Sequence, residues 1–129
     1  MPQSIAQISL LVRDYDEAIA FYTGTLGFEL LEDTRLSDTK RWVRVQPAGG
    51  GGCALLLARA ADDVQREAVG RQTGGRVFLF LDTDDFDGYY QRLRDGGVTI
   101  VRERSEEAYG TVAVFADLYG NLWDLVQRR

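Results

Sequence analysis

The chain has no histidine, one cysteine, two prolines and a single methionine in 129 residues. Without histidine there is no Ser/His/Asp set, no imidazole general base and no imidazole metal ligand. The lone Cys53 excludes an intrachain disulfide and fits a reducing compartment. With no histidine to activate it, Cys53 reads as a small buried residue in an apolar run rather than as a nucleophile. No apolar run reaches the roughly 18 residues that span a bilayer, and Met1-Pro2-Gln3-Ser4 lacks the charged and then apolar build-up of a signal peptide. The expectation is a cytoplasmic protein with no membrane partner. Positive charge is also short, since 15 Lys and Arg stand against 20 Asp and Glu for a net charge of −5. The basic residues are scattered among acids, as in Arg35, Asp38, Lys40 and Arg41, which describes a solvated surface and excludes a nucleic-acid footprint. Gly49 to Gly52 is a run of glycines with no GKS or GKT after it, so it reads as a mobile loop rather than a phosphate cradle.

What is present is an ordinary globular balance, 45% hydrophobic and 27% charged, in a length suited to one domain. Ile5–Val12 is short, apolar and rich in branched residues, a strand covered on both sides. Asp14 caps the next segment, where Ala18, Ile19, Phe21, Tyr22 and Leu26 recur at helical spacing until Gly27 stops it. Strands are expected at Phe28–Leu36, Arg41–Gln46 and Cys53–Arg59. Residues 60–75 are small and polar, a linker with a short helix at Asp62–Ala68. The same order then returns: a strand at Arg76–Leu81, a helix at Asp85–Arg94 ended by Gly96-Gly97, and strands at Val98–Glu103, Thr111–Ala116 and Leu122–Gln127. Tyr119-Gly120-Asn121 supplies the last turn. The pairs Asp62-Asp63 and Asp84-Asp85 stand at helix starts, where capping and the helix dipole explain them better than acid–base chemistry. The chain therefore reads as a diverged duplication, with one module at about 5–59 and a second at about 76–127.

Three stretches carry a family resemblance. Val12-Arg13-Asp14-Tyr15-Asp16-Glu17-Ala18-Ile19-Ala20-Phe21-Tyr22, running into Leu26-Gly27-Phe28, resembles an "AxxFYxxxLGF" opening, and Asp117 to Leu125 resembles a "DPxGNxxEL" closing hairpin. Asp85–Val98 resembles a second helix with an "AGV" ending. Together they are similar to the glyoxalase / bleomycin resistance protein / extradiol dioxygenase superfamily, the vicinal oxygen chelate proteins. The resemblance implies an α+β fold of two βαβββ modules, a glyoxalase-like cup of mixed sheet with helices outside, in a homodimer. Strand alternation then groups Gln7, Ser9 and Leu11 against Ile8, Leu10 and Val12, and Leu122, Asp124 and Val126 against Trp123 and Leu125. On the family's pattern Gln7 and Asp124 face the cup.

Enzymes of the family hold one divalent metal with four strand ligands. Carried over residue by residue, those positions fall on Gln7, on Ala54 or Leu56, on Arg76 or Phe78, and on Asp124. Only Gln7 and Asp124 keep an oxygen donor, a degenerate set that predicts no tightly bound metal and no cofactor. Arg76 offers a fixed cation to an acidic ligand, or else pairs with Asp124 across the cup. The aromatics Trp42, Phe78, Phe80, Tyr109 and Phe115 either line a pocket or pack in the core. Glu103, Glu106 and Glu107 read as an exposed acidic loop. The ligand-contacting set implied is Gln7, Trp42, Arg76, Phe78, Phe80, Tyr109 and Asp124, with no catalytic residue assignable. The implied function is binding of a small molecule without a tight metal. The alternatives are a lyase, isomerase or dioxygenase with a remodelled or metal-free site, and a structural dimer with a vestigial cup.

Overall fold

Eight strands form where the apolar alternation places them, and they divide between two four-stranded mixed sheets. The computed structural model describes residues 1–129, in two contact units, Met1–Val69 and Gly70–Arg129.

In the first unit β1 (Gln7–Val12) leads into α1 (Tyr15–Ile19), followed by β2 (Glu29–Arg35), β3 (Arg41–Gln46), β4 (Ala54–Arg59) and α2 (Asp63–Ala68). The sheet order is β1-β4-β3-β2, with β1 parallel to β4 and the other pairs antiparallel. Asp14 caps α1 by accepting from the Glu17 amide at 2.8 Å. The expected single regular helix instead widens into a π-helical segment, Ala20–Thr25. Two contacts account for this. Thr23 Oγ1 donates back to the Ile19 carbonyl at 2.7 Å, and the Leu26 amide reaches the Phe21 carbonyl five residues earlier at 2.9 Å. The widened turn still buries Tyr22 and Leu26, with Tyr22 edge-on to both Phe21 and Phe28. Leu10, Val12, Val43, Val45, Leu55 and Leu57 make the apolar face of this sheet. Cys53 lies just ahead of β4 and is half-exposed, which corrects the expectation of a buried residue.

The second unit repeats the order with β5 (Val77–Asp82), α3 (Phe86–Asp95), β6 (Thr99–Glu107), β7 (Gly110–Ala116) and β8 (Leu122–Arg128). Its sheet order, β5-β8-β7-β6, is the first sheet's order with each strand advanced by four, and β5 again runs parallel to β8. Asp85 caps α3 through the Gly88 amide, as Asp62 caps α2 through the Gln65 amide. Phe86, Leu93, Phe115, Trp123 and Leu125 are buried, and Phe115 stacks on Trp123 at 5.9 Å. Phe115 is thereby a core residue and not a pocket wall. The stretch expected as an acidic loop is the exposed end of β6, where Glu106 accepts from Arg104, Thr111 and Arg129. The edge position of β6 lets these charges face water while the backbone pairs with β7.

The β7–β8 turn is held by Asp117, which is buried. Its carboxylate accepts from the Tyr119 and Asn121 amides and from Asn121 Nδ2, all at 2.9 Å. Gly70 packs against this turn at φ 79°, and a Cβ there would collide with the Tyr119 carbonyl oxygen.

Candidate functional site

The residues not used for packing lie on the opposite face of each sheet. In the first sheet pairing sets Gln7 beside Ala54, and Ser9, Leu56, Arg44 and Glu32 in one row across all four strands. Arg44 crosses this face, with its Nε donating to Gln7 Oε1 at 2.9 Å and its Nη1 lying 3.7 Å from Glu32 Oε1. Trp42, two residues earlier on β3, shares the face and lines a cavity of about 560 Å³ with Leu56 and Ala58.

In the second sheet the corresponding row is Phe80, Asp124, Val114 and Arg102. The parallel register slips at Phe78, so Val77 sits opposite Leu122 while Phe80 sits opposite Asp124. The alternative in which Arg76 pairs with Asp124 is not realised, because Phe80 is the β5 residue opposite Asp124 and the ladder begins only at Val77. Arg76 precedes β5 in an exposed turn, beyond the start of β8, and the charges that act on Asp124 are Arg102 and Arg128. Burial pushes the Asp124 carboxyl above the usual aspartate range, and the two arginines only partly oppose this. A cavity of about 390 Å³ opens on this face, lined by Arg76, Phe80, Val101, Arg102, Val114 and Leu122 among others. No carboxylate makes an ion pair with Arg76 or Arg102. Phe80 is 64% exposed, an unusual position for a large apolar ring.

The structure thus brings Arg76 and Phe80 together on one cavity, with Asp124 in register beside Phe80. Phe78 stays at the bulge, half-buried. Tyr109 stands apart at the β6–β7 turn, 54% exposed, where its carbonyl accepts from the Arg129 amide. Trp42 and Gln7 belong to the first sheet, Trp42 at a cavity and Gln7 tied to Arg44. Sequence reasoning missed Arg44 and Arg102. Arg44 had a signal, because Val43 and Val45 face the core and so place Arg44 with Trp42. Arg102 had none, since β6 carries register slips on both sides of it.

The donor set does not fit a divalent metal. The only oxygen acceptor of Gln7 already receives a guanidinium, its β4 neighbours Ala54 and Leu56 have no donor atom, and Asp124 faces Phe80 and Val114. No three Cys, Asp or Glu side chains converge to hold an ion.

A sequence profile of the Glyoxalase/Bleomycin resistance protein/Dioxygenase superfamily matches residues 4–125. The chain belongs to that superfamily. An uncharacterized protein of Shewanella frigidimarina is 57% identical over 98% of this chain and 95% of its own length. Among solved structures, UcmS2 superposes with a TM-score of 0.84 at 30% identity, covering 98% of each chain. TnmS3, an antibiotic binding protein from Streptomyces sp. CB03234, gives 0.79 at 30% identity, covering 99% of this chain and 98% of its own. The superfamily's α+β pattern is therefore present in both units. No helix is long and apolar enough to cross a membrane.

Proposed function

We propose that this superfamily member is a metal-independent binding protein. It holds a small molecule with an apolar body and an acidic group on the open face of the second sheet. The observation that carries the reading is the pair of guanidiniums, Arg76 and Arg102, which form no ion pair with a carboxylate and border the same cavity as Phe80 and four aliphatic side chains. At about 390 Å³ the cavity falls in the size range of small-molecule sites. A guanidinium with no carboxylate in hydrogen-bond contact, beside apolar surface, favours a carboxylate or phosphate, because a charge-assisted bond there gains more than it does in open water. The antibiotic binding activity of TnmS3 agrees with a binding role for this fold. Asp124 stands in register with Phe80 beside this cavity, and burial raises its pKa. We further propose a cytoplasmic homodimer, because each sheet ends in strands with unpaired outer edges and β2 exposes Leu30 and Leu31.

The test is calorimetric titration of the full chain with a library of apolar carboxylates and phosphates, with and without chelator. Binding is expected to survive chelation and to weaken roughly tenfold in Arg102→Ala, the lower end of a charge-assisted contact at a partly solvated site. Binding that appears only with an added transition metal, or that ignores Arg102→Ala, would refute the reading.

A further inference from the structure

Two dipeptides of the chain join an aspartate to a glycine, Asp87-Gly88 and Asp95-Gly96, and they stand at opposite ends of α3. In such a pair the missing Cβ lets the glycine nitrogen approach the aspartate side chain, so a succinimide ring can close between them. Closure requires the aspartate to leave helical ψ, because in a helix the next amide points along the axis and donates one turn back. Both aspartates are exposed, so access does not separate them, but anchoring does.

Asp87 lies in the first turn of α3, which is tied down by side chains. The Asp85 amide donates to Thr83 Oγ1 at 3.0 Å and the Phe86 amide to Gln127 Oε1 at 2.8 Å. The Gly88 amide, whose nitrogen would have to attack, donates to Asp85 Oδ1 at 3.0 Å. The Asp87 carboxylate is itself gripped by Arg104, whose guanidinium lies 5.4 Å over the Phe86 ring and also holds Glu106. Asp95, the last residue of α3, is held far less. Its carboxylate has one hydrogen bond, at 2.8 Å from Nε2 of exposed Gln91, a neutral donor. The Gly96 amide donates to the Arg92 carbonyl at 3.0 Å, but in a terminal turn, and such turns fray. Gly97 follows at φ 72° with open space around it, so the chain can swing there without collision. Leu93, fully buried, keeps the rest of the helix in place while the last turn opens. The chain's single asparagine, Asn121, is no competitor, being buried with its Nδ2 bound to Asp117.

We propose that Asp95-Gly96 is a self-modification site, where the aspartate rearranges to an isoaspartyl linkage while Asp87-Gly88 stays intact. The Gly96 nitrogen loses its proton and bonds to Asp95 Cγ, and a carboxyl oxygen leaves as water. Water then adds to the ring carbonyl that belonged to the main chain, and its bond to nitrogen breaks. The main chain thereafter runs through Cβ and Cγ, with no net change of mass and no oxidant or second reactant consumed. The product carries a free α-carboxylate at the C-terminal end of α3, where the helix dipole disfavours negative charge.

The experiment ages the full chain at neutral pH, folded and in guanidinium chloride, and maps it by tryptic digestion, chromatography and electron-transfer fragmentation. Cleavage after Arg76, Arg92, Arg94 and Arg102 delivers the two aspartates on separate peptides, 77–92 and 95–102. In the folded chain 95–102 is expected to split into two forms of equal mass. That second form should accumulate at least roughly tenfold faster than one from 77–92, because Asp87 must also surrender a charge-assisted contact. In denaturant the two peptides should convert at comparable rates. Asp95→Glu, which forms the larger ring poorly, should abolish the conversion, and Arg104→Ala should speed it at Asp87. A folded chain whose 95–102 peptide stays single while both peptides convert in denaturant would overturn the proposal. So would folded-state conversion of Asp87 at the rate of Asp95.

Discussion

Replacing Asp117 by Ala tests how the closing turn sets the face that carries Asp124. Asp117 is 6% exposed and Asn121 3%, and the Asp117 carboxylate takes at least three hydrogen bonds within five residues. Truncation strands the Asn121 amide and its Nδ2 in a buried site, while the Tyr119 amide, half-buried, can turn to water. An unsatisfied buried donor costs about 1–3 kcal/mol, so two of them amount to a loss of about 3 kcal/mol, part being recovered by relaxation. For a chain of this length about 3 kcal/mol corresponds to a fall in Tm of about 10–15 °C. Asp117→Asn keeps an acceptor for the backbone amides but opposes one NH2 group to another at Asn121, and should lose only about 1–2 kcal/mol. Urea unfolding of the three proteins, followed by circular dichroism with unchanged m-values, gives the ordering. If Asp117→Ala costs under about 0.5 kcal/mol, or if Asn is as damaging as Ala, the turn is not held by this carboxylate.

Asp124→Asn should raise Tm at neutral pH. Because burial lifts the folded pKa above the unfolded value of 3.8, the folded state binds more protons across that window, and stability falls as pH rises through the folded pKa. The variant's advantage should therefore shrink to nothing as pH drops below about 4, and an advantage independent of pH would contradict the assignment. Leu10→Ala removes a fully buried side chain from the helix-facing side of β1 and should cost about 2–5 kcal/mol in denaturant unfolding. A near-neutral result would mean that β1 is not packed as described.

Much of this architecture was legible from local chemistry. Arg41–Gln46 is a strand with the bounds its alternation announces, because Val43 and Val45 need a core and the intervening residues do not. The caps at Asp14, Asp62 and Asp85 follow from an aspartate preceding a helical pattern, a relation that spans only three residues. The duplicated order, and with it the superfamily, depends on short motifs of the same local kind. What the tertiary structure decided is register. A single slipped residue at Phe78 puts Phe80 in place of Leu79 opposite Asp124, because side chains alternate with a period of two and one extra residue changes which face meets which. The Arg44–Gln7 bond has the same origin. It joins residues 37 apart in sequence, and only the pairing of β1 with β4 and of β4 with β3 brings them within reach. Residue types alone brought Gln7 and Asp124 to notice as oxygen donors on β1 and β8. That arginines stand in the same rows, Arg44 bound to Gln7 and Arg102 beside a cavity, was written in strand pairing and nowhere in the local sequence.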